Sequence, residues 1–216
     1  MANQGYYHFL LGLLFALFLI QPFTGDRFLG QSLSDLNTFV ILGASALAVG
    51  SKRWRTWVAL AIALPAAVFV AIGGGGDQLT DTTKISIGLV YYAFIGGCLA
   101  HDLFKQRKVN AGTVSLALCL YLIFAVTFGY LYSLLHLLNP ASFRGVPVEE
   151  MGVVADAGEF FYFSLVTLTT LGYGDIVPAT QTAQTYTTFE AVVGQLFLVV
   201  VVARLVAMEI ANNRDD

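Results

Sequence analysis

Charge is what this sequence has least of. Only 12% of its 216 residues are Asp, Glu, Lys or Arg, about half the roughly 25% usual in soluble domains. The net charge of −3 is small, and no run of Lys or Arg is long enough to make a nucleic-acid patch, so no nucleic-acid partner is expected. Cysteine is scarce too. Cys98 and Cys119 both lie inside apolar runs, which favours core packing over a disulfide and leaves no basis for a metal cluster. Residues 1–8 carry no Lys or Arg. The chain therefore lacks the basic start of a cleaved signal peptide, and the apolar run Tyr6 to Phe23 is expected as a retained helix.

What the chain has instead is apolar length. Hydrophobic residues make up 57% and the mean hydropathy is +0.73. A membrane-crossing helix needs about 20 mostly apolar residues, and six such stretches fall at approximately 5–22, 33–50, 55–73, 85–103, 112–138 and 184–210. A seventh, about 158–170, is too short to cross and suits a re-entrant helix. Gln21-Pro22 with Gly25-Asp26, Gly73 to Asp77, and Asn139-Pro140 supply chemically sensible breaks. The expected fold class is an all-α membrane protein of six transmembrane helices plus a re-entrant helix.

Loop charge orients it. With the N-terminus in the cytoplasm, Lys52, Arg53, Arg55, Lys105, Arg107, Lys108, Arg204 and Arg214 fall inside, while only Arg27, Lys84 and Arg144 fall outside. Nine of the fourteen acidic residues also fall outside. Both termini are expected in the cytoplasm, and the short loops suit a prokaryotic cytoplasmic membrane.

Between the fifth and sixth spans runs Thr169-Thr170-Leu171-Gly172-Tyr173-Gly174-Asp175. Irregular backbone at membrane depth is tolerated only where protein buries it or where it lines a water-filled path. Glycines at alternate positions permit backbone conformations that side chains resist, so successive carbonyls can point to one axis. Four copies would stack oxygen rings able to replace the hydration shell of K+.

This stretch resembles the signature of potassium channels, with Leu171 in place of the commoner Val. The resemblance implies that the carbonyls of Thr170, Leu171, Gly172 and Tyr173, followed by Gly174, coordinate K+ as permeant ion, with the Thr170 hydroxyl innermost. It further implies a homotetramer, no enzymatic activity and no cofactor. In the family an aromatic donor on the re-entrant helix bonds the acid after the filter. Tyr162, thirteen residues before Asp175, is the candidate brace. Tyr173 is expected to pack against neighbouring pore helices. Val166 stands where some relatives carry a glutamate, so a carboxylate gate there is not expected. The C-terminal end of the short helix would favour a cation through its partial negative charge.

In the last span, Gly194 lies where related channels often place a hinge glycine; the alternative is a packing glycine. Gln195, Leu198, Val202 and Val206 share a helical face that would line the inner cavity. Glu190 lies about two turns in, where an unpaired carboxylate is costly. It is either neutral or bonded to the back of the short helix and filter. Arg204, near the cytoplasmic end, is expected to snorkel to lipid headgroups.

Six spans and a pore loop also suggest voltage gating, but no Lys or Arg lies between Lys84 and Lys105 in the fourth span. Each charge moved through the field is worth about 2.3 kcal/mol per 100 mV, so steep voltage dependence has no evident source. The expected modules are residues 1–108, a four-helix unit without sensor arginines, and 109–216, the pore unit. His101 and Asp102 read as boundary residues or, less simply, as pH-sensing groups. The tail after the sixth span leaves no room for a soluble ligand-binding domain, so the expected contacts are membrane lipid and other copies of the chain.

Two rivals remain. Gly172-Tyr173-Gly174-Asp175 fits the pattern of intramembrane aspartyl proteases, but those need a second aspartate, usually after a tyrosine, and no Tyr-Asp pair occurs here. A potassium transporter subunit with four pore loops in one chain usually keeps one filter glycine per loop, whereas this chain has one loop and two glycines.

Overall fold

The computed structural model describes residues 4–20, 43–45, 53–71, 78–106, 108–146 and 157–212. Within them the chain forms α1 (Gln4–Ile20), α2 (Arg53–Ala71), α3 (Gln78–Lys105), α4 (Ala111–Leu138), α5 (Ala157–Leu168) and α6 (Gln181–Asn212). A single turn of 3-10 helix, Pro140–Ser142, leads into a two-residue strand, β1 (Phe143–Arg144), which pairs antiparallel with β2 (Val177–Pro178).

Among the described residues, three helices are long and apolar enough to cross a bilayer: Leu79–Lys105, Ala111–Leu138 and Gln181–Ala211. These are the fourth, fifth and sixth expected spans. The first and third contain shorter apolar helices, Gly5–Ala16 and Trp54–Leu64. The expected second span lies outside the described residues except for positions 43–45, which are helical. The breaks at Gln21-Pro22 and Gly73 to Asp77 lie outside them as well.

Capping residues set the helix limits. Asn110 accepts the Thr113 N–H at 3.0 Å to open α4, and Asn139 accepts the Ala141 N–H at 3.1 Å where Pro140 ends it. Thr180 opens α6 three residues before the expected start, taking the Ala183 N–H at 3.3 Å. Polarity does not stop α3 from beginning at Gln78 rather than 85, because Asp81 in its first turn complements the helix dipole.

The helix α4 is the spine of the fold, packed against α1, α3, α5 and α6. Leu116, Leu120, Ile123 and Ala125 are buried along it, against Leu10, Leu14, Tyr91, Ile95 and Leu99 of its neighbours. Both cysteines are free and buried in this core. A second core of Tyr132, Phe143, Phe160, Phe163, Ile176 and Ala183 sits under the β1–β2 pair. Its rings meet edge-on, Phe143 lying 5.1 Å from Phe160 and 5.4 Å from Tyr132, an arrangement that adds to simple area burial.

Two polar groups at the α3 end behave differently from expectation. Arg204 does not reach for lipid headgroups. Its guanidinium donates to the carbonyls of Leu103 at 3.0 Å, Phe104 at 2.7 Å and Gln106 at 2.9 Å, and stacks 5.2 Å over the Phe104 ring. The last carbonyls of a helix have no intrahelical partner and carry its negative end, so they draw a cation that sequence alone would send to the interface. Asp102, meanwhile, forms a buried ion pair with Arg55 at 2.7 Å, whereas His101 is exposed. Removing one partner of such a pair strands a charge, which makes Asp102 a tie between α2 and α3.

Candidate functional site

The site is built from the short helix α5, the turn that follows it, and the two long helices on either side. After Leu168 the chain leaves the helix without losing its hydrogen bonds: Thr169 N–H reaches Leu165 O at 2.9 Å and Thr170 N–H reaches Thr167 O at 3.0 Å. The carbonyl of Val166 then accepts two N–H groups, from Leu171 at 2.9 Å and from Gly172 at 3.3 Å. Val166 itself is buried. It therefore serves the segment through its backbone. The Tyr121 hydroxyl of α4 closes the end of α5 by donating to Leu168 O at 3.0 Å.

From here the backbone alternates. Thr170, Gly172 and Gly174 have φ of +60°, +62° and +80°, while Leu171 and Tyr173 between them do not take positive φ. The left-handed region costs an L-residue roughly 1–2 kcal/mol, and two of the three positions avoid this by being glycine. Residues 169–175 are exposed throughout, including the large side chains of Leu171 and Tyr173.

At the far end the chain is tied down again. The Tyr162 hydroxyl donates to Asp175 Oδ2 at 2.6 Å, and Asp175 Oδ1 accepts the Ile176 N–H at 3.0 Å. The Tyr162 hydroxyl holds the Asp175 carboxyl below the usual carboxylate range, with the Ile176 N–H acting the same way. Beyond it, β2 pairs with β1, and Ala179 N–H reaches Ser142 O at 2.8 Å. Gly145, with φ of +82°, lies directly against Asp175: a Cβ there would sit 1.7 Å from the Asp175 carbonyl oxygen.

Behind the segment, α6 brings two residues to α5. Glu190 is fully buried, and Gly194 approaches so closely that a Cβ would lie 2.9 Å from Leu168 O. Close packing thus accounts for a glycine at 194. Gln195, Leu198, Val202 and Val206 are exposed along α6, so these four side chains are free to face a shared space. The structure therefore brings Tyr162, Val166, Asp175, Glu190 and Gly194 into one assembly around residues 169–175. Gly145, Ser164, Tyr121 and Tyr132 belong to it as well, and sequence reasoning passed over all four. Of these, Tyr121 and Tyr132 carried a signal, as polar-tipped aromatics in an apolar helix that need a partner when buried.

Two helices of bilayer length flank a short helix and a tethered, glycine-bearing turn, which defines the class as a mostly helical protein with helices long and apolar enough to cross a membrane. Residues 116–210 match the family model described as Ion channel. The match runs from the second turn of α4 nearly to the end of α6 and takes in the whole site, so this part of the chain is similar to ion-channel domains and the likeness suggests ion transport. A comparison with curated proteins returns no match.

Proposed function

We propose that four copies of this chain form a potassium-selective channel in which residues 170–174 are the selectivity filter. The observation that carries the reading is the alternation of positive φ at Thr170, Gly172 and Gly174. In a segment held at both ends, such alternation would let the successive carbonyls of Thr170, Leu171, Gly172 and Tyr173 face one axis. Fourfold closure then supplies stacked oxygen rings in place of the water around K+, with the Thr170 hydroxyl at the inner end. One chain contributes one such segment, so the ring requires a homotetramer.

Large exposed side chains on α6, among them Phe189, Leu196 and Val199, each more than half exposed, suit contact with lipid and with other copies. Gln195, Leu198 and Val202 would line the inner cavity. Gly194 serves first as the contact glycine against α5; as a hinge it would free only the part of α6 beyond it. Residues 1–108 form a front module without sensor charges and 109–216 the pore module, in a cytoplasmic membrane with both termini inside. A transporter subunit would need further filter loops, and a protease would need Asp102 as an acid–base group, yet its carboxylate is engaged by Arg55.

The test is a bilayer recording of the purified, reconstituted protein under opposed K+ and Na+ gradients, with native mass on the same sample. A reversal potential that follows the K+ gradient from a particle of four chains is the expected result. A potential indifferent to K+, or a monomeric particle, would remove the reading.

The Tyr162–Asp175 bond gives a pH test. A depressed carboxyl pKa means that the bond contributes fully at neutral pH and is lost as pH falls through the folded value, which lies below the ordinary ~3.9. Wild-type current should thus hold to a lower outer pH than the current of a protein without the bond. Tyr162→Phe removes the donor, so its current should fall off at a higher pH. Overlapping titrations for the two proteins would show that the bond does not brace the filter.

A further inference from the structure

Glu190 is the one carboxylate among the described residues that is fully buried at mid-helix. Such a group is expensive in a membrane-spanning segment unless it is hydrogen-bonded. Here the Tyr132 hydroxyl of α4 donates to Oε2 at 2.6 Å, and the Ser164 hydroxyl of α5 donates to Oε1. Three helices far apart in sequence are joined at one side chain. The tie is repeated one turn on, where Gly194 lies against Leu168. Ser164 and Leu168 are themselves one turn apart and bracket Val166, whose carbonyl receives the N–H groups of Leu171 and Gly172. A shift of α5 along or about its axis would therefore move the acceptor on which the 171–172 backbone rests.

We propose that Glu190 is a positioning residue for ion selectivity: by holding Ser164 it locks α5 to α6, and so sets the filter geometry from the long helix. The carboxylate that does this comes from α6, and position 166 on α5 is left to an apolar residue. The inference rests on the channel reading above. It goes beyond that reading by assigning control of filter geometry to a residue that touches neither the filter nor the ion.

The local chemistry separates shape from charge. A glutamine at 190 can accept from Tyr132 through its amide oxygen and donate its N–H to the Ser164 oxygen, keeping both ties. The groups that face this site include the hydroxyls of Tyr132 and Ser164, the hydroxyls of Thr187 and Tyr121 nearby, and the carbonyl of Tyr186, which lies 3.4 Å from the Tyr132 hydroxyl and can accept its hydrogen bond if the bond to residue 190 is lost.

The experiment compares the K+/Na+ permeability ratio of full-length wild type, Glu190→Gln, Glu190→Ala and Ser164→Ala, each reconstituted and checked for assembly by native mass. Glu190→Ala and Ser164→Ala should lower the ratio by about tenfold or more, the size expected when a hydrogen bond to a charged group is lost. Glu190→Gln should stay within about twofold of wild type. If Glu190→Ala fails to assemble, Ser164→Ala carries the test, since it removes one hydroxyl and leaves the carboxylate and its Tyr132 bond. Wild-type ratios in the assembled alanine variants would overturn the proposal, as would a Glu190→Gln ratio as low as that of Ser164→Ala. A wild-type protein that does not select K+ would overturn the channel reading itself, a distinguishable result.

Discussion

Replacing Gly172 or Gly174 by alanine is expected to abolish potassium-selective current and leave the four-chain particle intact. Both glycines hold positive φ, +62° and +80°, and a Cβ built at either meets nothing within 4 Å in its own subunit. Within the subunit the penalty is therefore conformational, not steric. An alanine in the left-handed region costs roughly 1–2 kcal/mol, and in the proposed tetramer four copies would share one axis, so the conducting arrangement would lose about 4–8 kcal/mol relative to one with the peptide turned over. That is ample to empty the conducting state. It is small per chain beside a fold held by α4 and its neighbours, to which these two residues add only the Gly172 N–H bond to Val166 O. Recording and native mass on the same preparation check both halves. Selective current from Gly172→Ala would mean that the alternating backbone is not what selects the ion.

Thr170 shows why the position of each glycine matters. It shares the positive φ, at +60°, yet carries a side chain. Its N–H is returned to Thr167 O at 3.0 Å, so the end of α5 helps hold a conformation that the residue itself disfavours. Gly172 has only the longer bond to Val166 O, at 3.3 Å. With weaker external support, the residue must find the conformation cheap on its own.

Much of this was legible in the sequence because it is local. Apolar length marks α3, α4 and α6, and Asn139-Pro140 marks the end of α4, whereas the caps at Asn110 and Thr180 emerge only from the structure. Two glycines at alternate positions mark the segment, and the resemblance to potassium channels implies the pairing of Tyr162 with Asp175 across one short helix and a turn. What sequence could not supply is partner choice over long separations. Glu190 was readable as a buried acid in need of donors, but Ser164 lies 26 residues away and Tyr132 lies 58 away, and both look like ordinary helix residues. An arginine near a helix end, such as Arg204, has many ways to reach water, so its sequence position points to headgroups. Its actual acceptors are carbonyls about 100 residues earlier, which become visible only once α3 and α6 end side by side.

Gly145 is the sharpest case, and it carries the second large expectation. Nothing near it in sequence asks for a glycine, since its constraint comes from thirty residues on. Gly145→Ala combines two costs: a side chain at φ +82°, and a Cβ 1.7 Å from the Asp175 carbonyl oxygen and 2.8 Å from its carbon. Backbone atoms cannot rotate aside as a side chain can. The chain before Gly145 is pinned by the pairing of Arg144 with Val177 and by Ser142 O on the Ala179 N–H. On the other side, Asp175 is pinned by Tyr162 and Ile176. Relief must therefore unpair β1 from β2 or push Asp175 off Tyr162, and either releases the Asp175 end of the proposed filter. Overpacking and backbone strain of this kind cost about 1–3 kcal/mol each. Gly145→Ala should thus lower the thermal unfolding midpoint and also lose selective current, whereas Gly172→Ala loses the current and keeps the midpoint. A Gly145→Ala protein with wild-type stability and selectivity would show that the loop does not press on the filter mouth.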